Sequence, residues 1–129
     1  MRPIALPTLL LAAVAANAPS AAAQDFMTAV ALPKDNPFAA PSALPYATPA
    51  FDTITNGHFL PALLEGMRVH RAEIEGIATQ KDAPTFANTI EAMERAGAPL
   101  TRVNKVFFNL TESTTNPVMQ SVQAEVAPK

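Results

Sequence analysis

"HFLPALLEGMRVHRAEIEGIA", His58 to Ala78, is the stretch on which the reading of the fold turns. At 100° per residue, Phe59, Leu60, Leu63, Met67, His70, Ile74 and Ile77 fall on one arc, the signature of an amphipathic helix. Asn56 is placed to cap it, and Pro61 comes early enough for its missing N–H to be tolerated. Gly66 and Gly76 lower the propensity slightly. A helix with one apolar face needs partners, so the flanking sequence must supply them.

Downstream it does. "TQKDAP", Thr79 to Pro84, breaks the helix. "PTFANTIEAMERAG", Pro84 to Gly97, starts a second one, with Thr85 or Asn88 as cap and Ile90 and Met93 facing inward. Gly97-Ala98-Pro99 kinks or ends it. "PLTRVNKVFFNLTES", Pro99 to Ser113, continues as helix with Leu100, Val103, Val106, Phe107 and Leu110 on one stripe. "TTNP" then reads as a stop and a new cap, with Pro117 at the first helical position and Val118, Met119, Val122 and Val126 as the last stripe. No strand pattern competes, and there is neither an internal repeat nor a glycine-rich phosphate loop. The expected fold is all-α: about three to four antiparallel helices over residues 56–129.

Upstream the composition changes twice. "PKDNPFAAPSALPYATP" carries Pro33, Pro37, Pro41, Pro45 and Pro49, five of the chain's 13 prolines. Each proline fixes its own φ and pushes its predecessor towards extended geometry, so residues 24–55 read as an arm, polyproline II or irregular. The four-residue spacing does not suit a proline-rich ligand, because polyproline II repeats every three residues. Phe38, Leu44, Tyr46 and Phe51 are interleaved with the prolines, which a free linker would not need. The arm is therefore expected to strap across the helices and plug these rings into them. Before it, "MRPIALPTLLLAAVAANAPSAAAQ" has one positive charge at Arg2, an apolar run from Ile4 to Ala16, and an A-x-A pattern at Ala21-Ala22-Ala23. Residues 1–23 have the pattern of a secretory signal peptide cleaved before Gln24, with Ala18 as a second candidate site. The apolar run is too short to span a bilayer, which needs about 20 residues. The expected location is secreted or periplasmic, with no membrane association after cleavage.

The 129 residues allow at most one domain. Formal net charge is -2, and removing Arg2 leaves 8 basic against 11 acidic residues. A phosphate footprint needs a basic surplus, so nucleic acid is not an expected partner. With no cysteine there is no disulfide, thiolate nucleophile or cysteine zinc site.

The chemistry-bearing residues are few. His58 and His70 are the only histidines, and neither lies in H-E-x-x-H. His70 and Glu73 form an H-x-x-E pair, half a metal site at best, because bundle sites draw ligands from several helices. His70 falls within the apolar stripe and is expected to be a boundary histidine with a satisfied nitrogen. Arg71 is placed to reach Glu75 as an ordinary surface pair. "NLT", Asn109 to Thr111, matches a glycosylation acceptor by chance in a helical stretch. No catalytic, cofactor-binding or metal-ligating residue is assigned.

Five pieces, in this order and spacing, carry a resemblance: "NPFAAPSALPYATPAFDTI", "HFLPAL", "APTFANTIEAMERAG", "LTRVNKVFFNLTES" and "NPVMQSVQAEVAPK". From about Asn36 to Lys129 the chain resembles the N-terminal region of bacterial peptidyl-dipeptidases of the thimet oligopeptidase family of zinc metallopeptidases. The resemblance implies a large helical enzyme with a deep channel that cuts short peptides, its zinc held by H-E-x-x-H and a downstream glutamate. Those ligands have no counterpart here, so the resemblance implies zinc in the full-length enzyme and none bound by this chain. The matching region would be the start of the helical wall that roofs the channel. Its partners would be the remainder of the catalytic domain and, through it, short peptide substrates. Two expectations result: a fragment of a secreted zinc peptidyl-dipeptidase, or a short secreted helical module that binds a peptide or protein without catalysis.

Overall fold

The structure, a computed structural model, describes residues 32–129. The signal-peptide segment, residues 1–23, and the first part of the arm lie outside the described residues. Within them the regular elements are all helical.

Helix α1, Phe59–Thr79, is the longest element and is entered through one 3-10 turn, Asn56–His58. Thr55 rather than Asn56 closes this entry. Its backbone N–H donates to His58 Nδ1 at 3.1 Å, and its carbonyl accepts from His58 N at 3.0 Å. Asn56 lies one residue inside and sends Nδ2 to Asn116 Oδ1 at 3.2 Å, tying two helix entrances together. The second helical stretch opens with a π-helix, Phe86–Glu91, and passes into the short α2, Ala92–Arg95. Thr85 and Asn88 cap it jointly: Thr85 N donates to Asn88 Oδ1 at 2.7 Å and Asn88 N to Thr85 Oγ1 at 3.1 Å. Gly97, at φ 77°, turns the chain into α3, Ala98–Ser113. Left-handed backbone is what glycine adopts without penalty. Asn116 then caps α4, Pro117–Val126, its Oδ1 accepting from Val118 N and Met119 N, both at 3.1 Å.

Cross-contacts fix the pairing of α1 with the 86–113 stretch. The Phe59 and Phe107 ring centroids lie 5.2 Å apart, Gly66 faces Leu100, His70 faces Gly97, and Gln80 Nε2 donates to Asn88 O at 3.2 Å. Rising numbers on one side meet falling numbers on the other, so the two run antiparallel along the whole length of α1. The helices approach closely at Gly66, where an added Cβ would sit 2.9 Å from Leu100 Cα.

Burial is concentrated at one end. Phe59, Ala62 and Leu63 of α1 meet Val103, Val106 and Phe107 of α3 and Met119, Val122 and Val126 of α4, with Phe38 of the arm completing the cluster. At the other end the apolar residues stay out. Ile74 is 37% exposed, and Ile90 and Met93, expected inward, are 48% and 52% exposed. The reason is the π-helix, whose wider turn advances each side chain by less than 100° and carries positions 90 and 93 off the contact face. Asn88, Thr89 and Ala92 are half-buried instead. Val118, expected on the last apolar stripe, is also exposed.

The arm takes the irregular alternative. It runs through tight turns, with one 3-10 turn at Pro45–Ala47. Only one of its four expected plugs is seated: Phe38 is 6% exposed and stacks obliquely on Phe59 at 5.4 Å, whereas Leu44, Tyr46 and Phe51 are exposed. Asn36 fixes this anchor. It is 5% exposed, its Nδ2 donates to His58 O at 3.0 Å, and its Oδ1 accepts from Phe38 N at 2.9 Å. Arg102 Nη1 adds a bond to Phe38 O at 3.1 Å.

Candidate functional site

A groove of about 550 Å³ lies between the arm and α3. Phe38, Pro41, Leu44 and Pro49 form its apolar wall, and Val106, Arg102 and His58 close the helical side. That size and makeup are typical of a ligand-sized cleft: apolar walls with a few polar groups. His58 already spends Nδ1 on the Thr55 N–H, and Arg102 spends one donor on the Phe38 carbonyl, so both are held in place by the arm. Asp35 sits at the rim with the opposite charge.

Above the groove the backbone is unusual. Tyr46 and Ala47 have φ of 59° and 53°, both in the left-handed region that non-glycine residues avoid. Each such residue costs on the order of 1–3 kcal/mol and persists only where its surroundings hold it. Here Ala47 N donates to Leu44 O at 3.0 Å, Thr48 N to Pro45 O at 3.2 Å and Thr48 Oγ1 to the same carbonyl at 2.7 Å. The knuckle is locked by its own hydrogen bonds, and the Tyr46 ring on it is fully exposed.

A second, more open groove of about 320 Å³ runs along the far half of α1, between Gly76 and Ile77 on one side and Ala92 and Ala96 on the other. It marks where α1 and the 86–96 stretch fail to close on one another.

The residues singled out in the sequence do not come together. His58 and His70 lie twelve residues apart along one helical rod, roughly 18 Å at 1.5 Å per residue. His70 and Glu73 serve the Gly97 turn. Glu73 Oε2 accepts from Gly97 N at 2.7 Å, and the His70 ring lies 3.0 Å from where a Gly97 Cβ would be. Among the described residues no three His, Cys, Asp or Glu side chains converge. The donor set present therefore does not fit a zinc ion. The expected Arg71–Glu75 pair gives way to Glu65–Arg68. Arg68 donates from Nε and Nη2 to the two Glu65 carboxylate oxygens, both at 2.7 Å. Those hydrogen bonds hold the Glu65 carboxyl below the usual carboxylate range against the opposing effect of its burial, and raise the Arg68 guanidinium. Asn109 lies on the exposed side of α3.

Asn36, Arg102 and the Tyr46 knuckle are not anticipated by the sequence reading. Asn36 had a signal, since an Asn-Pro start to a turn is a place where its side chain bonds backbone two residues on. Arg102 had none, because the carbonyl it serves is far away in sequence.

No family model matches the chain. Two curated proteins do, both named dipeptidyl carboxypeptidase. The one from Escherichia coli (strain K12) is 48% identical over 90 residues, 70% of this chain and 13% of that protein. The one from Salmonella typhimurium (strain LT2) is 47% identical over 85 residues, 66% of this chain and 12% of that protein. The chain thus spans about an eighth of the length of the curated relatives it matches. At that identity, and over that share of its residues, the chain matches a segment of the dipeptidyl carboxypeptidases.

Proposed function

We propose that this polypeptide is the N-terminal structural segment of an exported zinc peptidyl-dipeptidase, an enzyme that removes dipeptides from the C-terminus of short peptides. One observation carries the reading: 48% identity over 90 residues that make up only 13% of the relative. Identity so high over so small a share fits a scaffold piece of a larger protein. The chain's own residues fit that role. His70, Glu73 and Gly97 hold a turn, and Asn36 and Arg102 hold the arm. The metal and the water it would activate belong, on this reading, to parts of the enzyme outside the match. Export rests on residues 1–23, with the mature chain starting at Gln24.

Reading the coding frame past the Lys129 codon, then assaying the longer product for dipeptide release with and without a chelator, tests the proposal. A genomic stop codon at that point, or a longer product that releases no dipeptides, sinks it. The arm groove favours the other reading, a self-contained binding module. That reading requires residues 24–129 to be monomeric, cooperative in melting and free of dye binding.

A further inference from the structure

The arm has two faces, and the body of this chain accounts for only one. Phe38 is buried among the helices and Leu44 lines the groove that faces α3, while Tyr46 and Phe51 stay exposed. Phe51 is about half exposed and Tyr46 entirely so. Exposed apolar side chains are common singly, but here they succeed one another along a short rigid segment. The rigidity is visible: prolines at 41, 45 and 49 restrict the backbone, and three hydrogen bonds lock the left-handed knuckle that lifts Tyr46 outward. An aromatic ring presented on a preorganised strained turn loses little freedom on being covered. Strain of this kind is retained where something uses it.

The geometry points to the outer edge of the arm, Tyr46 and Phe51, as the surface on which an apolar face of the rest of the peptidase polypeptide seats. Length identifies the occupant. The relatives are about eight times longer than the segment they share with this chain, so most of such a protein lies outside these residues. The arm is then a two-sided wedge, with Phe38 gripping the N-terminal helices and Tyr46 gripping the face opposite. This inference rests on the reading of the chain as a segment of a longer peptidase.

Tyr46 is the only tyrosine in the chain, which makes it a reporter of its own burial. The test replaces the matching segment of the intact E. coli dipeptidyl carboxypeptidase with this chain's segment. Nitration of Tyr46 by tetranitromethane is then monitored by peptide mass spectrometry in the chimera and in the separate chain. The expected result is an active chimera in which Tyr46 reacts at least tenfold more slowly than in the chain alone. An active chimera in which Tyr46 reacts as fast overturns the docking surface and leaves the peptidase reading standing. An inactive chimera counts against both. Slowing in the separate chain as its concentration rises would seat a second copy on the edge and also overturns the assignment. A second measurement needs no chimera: the variant Y46S of the separate chain should melt in urea at the wild-type midpoint. A clear drop would mean that the edge already packs on its own body, which again overturns the inference.

Discussion

The two ends of the α1 hairpin carry the same kind of sequence and meet different fates. From Phe59 to Gly66, α1 buries its apolar face against Val103, Val106 and Phe107, and α4 closes over the seam. From Ile74 to Gln80 the same helix faces the 86–96 stretch across an open groove, and Phe86, Ile90 and Met93 point to water. Periodicity marks which side of a helix is apolar. It does not say that a partner is present, because burial needs a third element and the far end has none within the described residues. Each apolar side chain left bare there forgoes about 25 cal/mol per Å².

The largest expected effect tests that asymmetry directly. Phe107 is fully buried between Phe59 and the α4 residues, so Phe107→Ala should cost about 3–5 kcal/mol and unfold a chain of marginal stability. Phe86 is 69% exposed, and Phe86→Ala should shift the urea midpoint by no more than the roughly 0.5 kcal/mol of an ordinary surface change. Equal losses from the two variants would show the far end to be packed after all.

The glycines of α1 sharpen the comparison at single-atom scale. At Gly66 an added Cβ meets backbone, with Leu100 Cα at 2.9 Å and Leu100 N at 3.1 Å, and neither can rotate away. Gly66→Ala should therefore force the helices apart and cost about 1–3 kcal/mol despite alanine's better helix propensity. At Gly76 the same atom meets nothing within 4 Å. Gly76→Ala should stabilise by about 0.5–1 kcal/mol, from the backbone entropy alone. Urea midpoints of the two variants should move in opposite directions, and movement in the same direction would place the close approach elsewhere.

Much of this was legible in the sequence. The α1 stripe, the break at Thr79 to Pro84, the turn at Gly97 and the Asn116-Pro117 start of α4 all rest on local chemistry, which a sequence displays. The misreadings have non-local causes or an unusual local geometry. Ile90 and Met93 turn outward because residues 86–91 wind as a π-helix. Tyr46 and Phe51 read as plugs because apolar residues between prolines imply contact, without showing on which side it lies. Of the site, the sequence yields His70 and Glu73 as a pair but not their shared target, since Gly97 becomes their neighbour only when the hairpin closes. The groove under the arm could not be foreseen, being built by Arg102 reaching a carbonyl 64 residues away.

The smallest effect concerns charge at the junction of the two ends. Glu65 and Arg68 are paired bidentately, with side chains 19% and 35% exposed, whereas the Glu91–Arg95 pair of the open end is 43% and 76% exposed. Screening by water leaves the exposed pair little to contribute. For Glu65, the hydrogen bonds from Arg68 hold the folded carboxyl below its usual range. The folded chain thus binds its proton less readily than the unfolded chain does. The contribution of the pair is present in full above the ordinary glutamate range, and it is lost as pH falls through that range and then through the folded value. Across about pH 5 to 3, the urea midpoint of the wild type should fall more steeply than that of Glu65→Gln, which has no carboxyl at this position to protonate. At pH 7 the variant should sit slightly below the wild type, and in acid the two should converge. Parallel acid limbs would show that the bidentate pair, for all its geometry, adds nothing to the packed end.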